Sequence, residues 1–350
     1  MRRLRLVFLL TLILLGGAQP GRAVVQWARQ YNLPCSGCHA GFPRLNDTGI
    51  RFRQLGYRFD ANEKPKLALE NLVGPTWAPG LTVNSDDTTT LQRRGVKIHL
   101  GGALTSNIGL LVQPTPGEKN NFNMAQMLIT QGAFRLTAGR LYAWENGGGA
   151  GAADRFPTSS LPRMFASLGG IAIGDLGTGF RLDHSDTNFN QLSLFSTDLS
   201  GGGARTPTQG LALSRRLRPK GLNYAEIFAA TTKLTTGGSA QRLGATISNS
   251  QETKDGELHW LLLGGALFGS RASKRLGAGF VEVDWFPLPR NIVLLRTELE
   301  QGVTTSGTRL GVTLGTATQF SPQERLDLDW TPKRINATTA PFTAKLRFFF

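Results

Sequence analysis

From about residue 91 to Phe350 the sequence runs in segments of about ten residues in which apolar side chains alternate with polar or small ones. A period of two marks strands whose two faces meet different surroundings. Val96, Ile98 and Leu100 share one face, while Gly95, Lys97 and His99 share the other. Leu258, Trp260 and Leu262 alternate in the same way with Glu257, His259 and Leu261. Val281, Val283 and Trp285 stand against Glu282 and Asp284, and Leu326, Leu328 and Trp330 against Asp327 and Asp329. The final segment sets Leu346 and Phe348 against Lys345 and Arg347. Turn-forming stretches separate the segments, among them Thr105-Ser106-Asn107, Gly201-Gly202-Gly203 and Pro219-Lys220-Gly221.

There are about sixteen such segments, an even number, as in bacterial outer-membrane barrels. A soluble β-sandwich also alternates. Two features favour the barrel. Many segments oppose an apolar face to a charged one, which suits lipid outside and water inside. Tyr142, Trp144, Tyr224, Trp285, Phe286, Trp330 and Phe348 also fall near segment ends, where aromatic girdles form. The expected fold is therefore mainly β: an outer-membrane β-barrel of about sixteen strands with a small N-terminal helical segment. Residues 143–167 break the rhythm as one long loop, expected to serve a function or to fold into the barrel mouth or lumen.

Arg2, Arg3 and Arg5 precede an apolar run from Leu6 to Leu15, followed by small residues ending at Ala23. That is the layout of a secretory signal, and the run is shorter than the ~20 residues a spanning helix needs. The net charge of +15 would suit nucleic acid or anionic headgroups. An export leader removes nucleic acid as a partner and leaves lipid. The expected organisation is a signal peptide at 1–23, a haem-bearing segment at 24–75, a linker at 76–90 around Pro79, Gly80 and Asp86-Asp87, and the barrel at 91–350.

The sharpest chemical signal is Cys35-Ser36-Gly37-Cys38-His39, which holds both cysteines of the chain. Two thiols at this spacing can add to the two vinyl groups of a haem, and the histidine that follows supplies the proximal iron ligand. A thioredoxin-like pair expects a βαβ setting, which is missing. A zinc site needs further ligands nearby, and residues 40–98 contain neither His nor Cys. The cysteine count limits the cofactor to one haem c per chain, bound through Cys35 and Cys38 with iron on His39. Downstream, Asn46 or Asp47 caps a short helix that places Leu45, Gly49, Phe52 and Gly56 on one face, with Phe59 just beyond. That face suits ordinary packing or close approach to a porphyrin.

Tyr31-Asn32-Leu33-Pro34 ahead of the motif, then Phe42-Pro43, Leu45, Gly49, Phe52 and Gly56-Tyr57 after it, resemble the N-terminus of the fused cytochrome–porin family of iron-oxidising bacteria. The likeness is motif-level over residues 27–59 and architectural beyond. It implies that Cys35, Cys38 and His39 match the family's haem-binding residues. It further implies electron transfer from an extracellular donor, ferrous iron for some members, to a periplasmic carrier. Iron oxidation is thus the enzymatic activity the resemblance suggests.

The sixth iron position is open. His99 is the first histidine after the motif, on a lumen-facing register, and is the favoured distal ligand; His184, His259, Met124, Met127 and Met164 are the others. The basic groups Arg93-Arg94, Arg215 to Lys220 and Arg271 to Arg275 are solvated strand ends or line the lumen. A positive lumen would repel ferrous ions and keep iron at the outer mouth. Two other functions fit the same residues: an anion-selective porin with a haem-bearing plug, and a soluble periplasmic cytochrome with a β-domain.

Overall fold

The computed structural model describes residues 26–40, 44–65, 68, 72–77, 80–83, 89–92, 97–114, 122–144, 162, 164–165, 176–199, 206–253, 257–272, 274–288, 291–302, 308–321, 324–333 and 342–349. The expected leader lies outside these residues. Two short helices, α1 (Gln26–Tyr31) and α2 (Asp47–Gln54), flank a single 3₁₀ turn at Cys35–Gly37. The first strands are β1 (Val73–Trp77), β2 (Gly80–Val83), β3 (Thr89–Gln92), β4 (Lys97–Ala103), β5 (Ile108–Pro114), β6 (Phe122–Gln131), β7 (Phe134–Tyr142), β8 (Leu176–Ser185) and β9 (Gln191–Asp198). The remainder are β10 (Thr208–Arg216), β11 (Tyr224–Lys233), β12 (Ser239–Glu252), β13 (Leu258–Arg271), β14 (Lys274–Leu288), β15 (Asn291–Gln301), β16 (Thr308–Ser321), β17 (Glu324–Lys333) and β18 (Phe342–Phe349).

The pairings are antiparallel and mostly join neighbours in sequence; β1 and β2 close the sheet by pairing with β18, and β1 also pairs with β4. Strands β1 and β2 lie on β18 in one register, Thr76 opposite Phe349 and Gly80 opposite Lys345. They occupy a single place in the ring, as do their partners β3 and β4. The closed sheet therefore has sixteen strand positions. Closure pairs the backbone groups that an open edge would leave bare, which is what lets a sheet cross lipid. No described helix is long and apolar enough to cross a membrane.

Residues 76–90 thus hold strands where a linker was expected. Pro75 is a breaker in a central strand, but here it falls where the ring closes, beside a one-residue shift of register on β3 and β4: Thr76 faces Lys97, whereas Gly80 faces Gln92; Pro79 lies outside the described residues. A proline is tolerated beside such an irregularity.

The wall inverts the polarity of a soluble protein. Val281, Val283 and Trp285 are 50%, 41% and 49% exposed, while Glu282 and Asp284 between them are 0% exposed. Phe134, Leu136, Phe180 and Leu182 likewise face out, and Arg135, Arg181 and Asp183 face in. Such a wall presents an apolar band outward and polar groups to the lumen, which removes the soluble cytochrome with a β-domain from consideration. Buried charges must be paired. Asp183 accepts hydrogen bonds from Arg135 Nη2 at 2.6 Å, Arg181 Nε at 2.9 Å and Ser193 Oγ at 2.6 Å.

Two details depart from the sequence pattern. The register of β12 on β13 shifts at Gln251 and Glu252, so Leu258 and Leu261 are both buried and His259 is exposed. Tyr142, Trp144, Tyr224 and Phe286 are buried, whereas Trp77, Trp285, Phe320 and Trp330 are exposed on the outer surface. An aromatic near a strand end is ambiguous until its parity is known.

The wall polarity carries a direct expectation. Leu295→Arg, midway along the outer face of β15, should lower folding stability in bilayers by about 2–4 kcal/mol. Urea titration in lipid vesicles reads this, and a change below about 0.5 kcal/mol, the range of an ordinary surface substitution, would show that this face does not meet hydrocarbon.

Candidate functional site: a motif-bearing plug

The motif sits in a turn that its neighbours hold shut. Gly37 N–H donates to Pro34 O at 2.9 Å, and a 3₁₀ turn of three residues, Cys35–Gly37, leads directly into Cys38. Cys38 and His39 are half-buried, and His39 forms a β-bridge with Leu45. Asn46 fastens this loop to α2. Its backbone N–H donates to Cys38 O at 2.9 Å, and its Nδ2 donates to Ser36 O at 3.1 Å and Gly37 O at 3.2 Å. Its Oδ1 accepts from Gly49 N–H at 3.0 Å, which makes it the N-cap. Gly49 lets the helix approach so closely that a Cβ there would stand 2.2 Å from Cys38 O. The glycine's freedom is spent on the motif backbone itself.

An aromatic cluster backs the loop. Trp27 stacks on Tyr57 with ring centroids 4.7 Å apart, and Phe52 lies 4.7 Å from Phe59 and 5.7 Å from Tyr31. Gly56 and Tyr57 both take left-handed backbone conformations, with φ 68° and 69°, and so turn the chain back after α2. Burial first, and then a hydrogen bond to Glu63, push the Tyr31 phenol above its ordinary value, keeping it neutral among these rings.

Residues 26–65 pack against the inner wall. Trp27 Nε1 donates to Gly101 O at 3.2 Å, and Gln126 Nε2 donates to Tyr57 Oη at 2.8 Å. Arg58 Nη2 donates to Thr130 Oγ1 on β6 at 2.8 Å. Arg44 reaches β14, where its Nη2 stands 2.7 Å from Glu282 Oε1 and 2.6 Å from Asp284 Oδ2. In the ring order, β6 and β14 are half a circuit apart, so the segment bridges the lumen from wall to wall. Asp47 meets Arg216 Nη2 on β10 at 2.8 Å. These contacts cluster at the end of the barrel where β1 begins and β18 ends.

The described residues of the long stretch after β7 also lie inward. Trp144, Met164 and Phe165 are buried, with Trp144 4.2 Å from Phe228 and Phe165 5.8 Å from Phe280. Ile50 of α2 belongs to the same apolar cluster, so plug and loop meet in one core.

The candidate sixth ligands divide by parity. His99 faces inward with Gln113 and Gly101. Gln113 Nε2 lies 3.0 Å from His99 Nδ1 and Thr76 Oγ1 lies 3.2 Å from His99 Nε2. Met124 and Met164 are buried, whereas Met127 is 42% exposed on the outer face. His184 packs on Phe134 outside the barrel, and His259 is exposed. Among the described residues no three His, Cys, Asp or Glu side chains group to hold a metal ion. Nor is the lumen uniformly positive: Glu282, Asp284, Glu298, Glu300, Asp327 and Asp329 are buried along the inner wall from β14 to β17.

Sequence reasoning missed the roles of Arg44, Arg58 and Asp47. One signal was available. Glu282 and Asp284 put two carboxylates side by side on an inward face, which calls for a cation from elsewhere.

The fold and its wall define a porin-like β-barrel of the outer-membrane type. Solved structures agree. The chain is similar to OmpT, an outer membrane protein of Vibrio cholerae (7% identity, 82% of this chain and 100% of that one, TM-score 0.58). It is also similar to an anion-selective porin from Comamonas acidovorans (13%, 80% and 98%, TM-score 0.56). A third likeness is to the outer membrane channel DcaP of Acinetobacter baumannii (9%, 79% and 96%, TM-score 0.55). No family model matches the chain, and no curated protein does. At such identities the likeness is one of fold.

Arg44→Ala should leave Glu282 and Asp284 short of a cation and cost about 3–5 kcal/mol at the plug. Protease cleavage within 26–65 should then accelerate while heat-modifiable gel migration of the barrel persists. Gly49→Ala should give the same phenotype by pushing α2 off the motif. Unchanged cleavage in both variants would mean that these contacts do not hold the plug.

Proposed function

We propose that the chain is an outer-membrane electron-transfer protein whose plug carries one covalently attached haem c, taking electrons from an extracellular donor and delivering them to a periplasmic carrier. The observation that carries this reading is the fixing of the CxxCH loop within a lumen-crossing segment: Asn46 grips its backbone, and Arg44 and Arg58 fasten the segment to opposite walls. The donor set fits, with two cysteines one 3₁₀ turn apart and an imidazole directly after them. Cys35 and Cys38 would form the thioethers and His39 would bind the iron. The bound group would supply a one-electron couple. The work of the chain is to orient that group and to exclude water. Trp27, Phe52 and Tyr57 supply an apolar wall behind the loop.

His99 is the proposed sixth ligand. It faces the lumen, and using Nε2 requires its contact with Thr76 to open. Ferrous iron is the donor suggested by the resemblance to cytochrome–porin fusions.

A second reading is an anion-selective porin with a haem-bearing plug. The likeness to porins and channels favours it more directly than it favours electron transfer, and so does the charge of +15. The plug that bridges the lumen weighs against a wide open pore.

Protein exported with competent haem maturation and purified in detergent should show a haem that survives acid-acetone extraction, and Cys35→Ser with Cys38→Ser should abolish it. Ferrous iron added to the oxidised protein should produce the reduced α-band, and His99→Ala should shift the spectrum and the potential. Colourless wild-type protein would overturn the haem reading. A haem reduced by dithionite but not by ferrous iron, together with anion current in planar bilayers, would favour the porin.

A further inference from the structure

The outer wall near the rim opposite the plug is not a plain apolar band. Leu211, Ala229, Leu243 and Phe268 lie in register across β10 to β13. Leu243 and Phe268 are 60% and 66% exposed, and the small Ala229 between Leu211 and Leu243 leaves a trough. One row nearer the rim, Gln209, Thr231, Gln241 and Ser270 line up in the same register. Together these two rows border a cavity of about 550 Å³. Exposed cations stand at and beyond this row: Arg275 directly opposite Ser270, Lys233 two residues past Thr231 on the same face, and Arg271 and Lys274, paired with each other at the strand ends on the alternate face. No Asp or Glu occurs at 227–251 or 258–281, and Glu300 of the next strand, opposite Ala278, is buried on the inner face. From the trough to the rim, the surface offers apolar side chains, hydrogen-bonding amides and hydroxyls, and a group of exposed cations.

We propose that this trough and rim bind one bilayer lipid whose headgroup carries clustered phosphates. The grading supplies the argument. An acyl chain against Ala229 contacts Leu211, Leu243 and Phe268. The sugar or glycerol level meets Gln241 and Thr231, and the phosphates meet the guanidinium and ammonium groups, which pair strongly with phosphate oxygens. A zwitterionic lipid would leave the cations unanswered. A soluble phosphate would leave the trough unfilled.

The test uses the full chain, purified in detergent and confirmed folded by heat-modifiable migration, then incubated with lipid A, phosphatidylethanolamine or inorganic phosphate. Phosphate retained per barrel after detergent exchange is the measurement. Wild type should retain lipid A, and neither phosphatidylethanolamine nor inorganic phosphate at equal concentration should displace it. Replacing Lys233, Arg271, Lys274 and Arg275 by Ser should cut retention at least tenfold. Ala229→Trp, which fills the trough and leaves every charge in place, should also weaken it. A control that replaces Arg215, Arg218 and Lys220 by Ser at the other end of the barrel should retain lipid A as wild type does. Equal retention by the rim variant, equal retention by Ala229→Trp, or displacement by phosphatidylethanolamine or free phosphate would overturn the proposal.

Discussion

Two carboxylates on one face of one strand, closed off from water, repel each other strongly. Glu282 and Asp284 are in that position on β14, and the groups that meet them are Arg296 of the neighbouring strand and Arg44 of the plug. Much of the molecule depends on that meeting. Without Arg44 the inner wall keeps two carboxylates with Arg296 as the one cation named against them. Without the patch, the segment that carries Cys35, Cys38 and His39 loses its hold on the far side of the lumen. Wall and plug are each incomplete alone, because a buried charge is tolerated only with a partner in place.

The barrel was legible in the sequence because its cause is local. Val281, Val283 and Trp285 against Glu282 and Asp284 is the pattern of a strand whose two faces meet different surroundings, and an apolar face opposed to a charged one suits lipid on one side and polar contents on the other. The CxxCH motif could be located for a similar reason, since it occupies five consecutive residues. The hold of Asn46 on the motif was half legible: its capping role follows from residue type, but its bonds to Ser36 and Gly37 depend on how the loop folds back.

What could not be read was set by distant pairing. Arg44 and Glu282 are 238 positions apart, and no period or spacing links them. The strands β1 and β2 were obscured by the prolines in their sequence, of which Pro75 pairs with Ile98 at the place where ring closure tolerates it. Leu258 and His259 were misplaced by a register shift at Gln251 and Glu252, because one extra residue swaps the faces of all that follows. Met127 and Met124 show the same lesson on β6. They are three residues apart, and only one of them faces the lumen.

The strand that closes the ring is also the one that emerges from the plug, with seven residues separating Pro65 from Val73. When β1 docks between β18 and β4, residues 26–65 can only arrive with it, and they reach walls on both sides of a cylinder that is closing around them. The segment that spans the lumen is thus tied, through a short stretch of chain, to the strand that seals the wall, and whatever that segment carries ends up enclosed on every side.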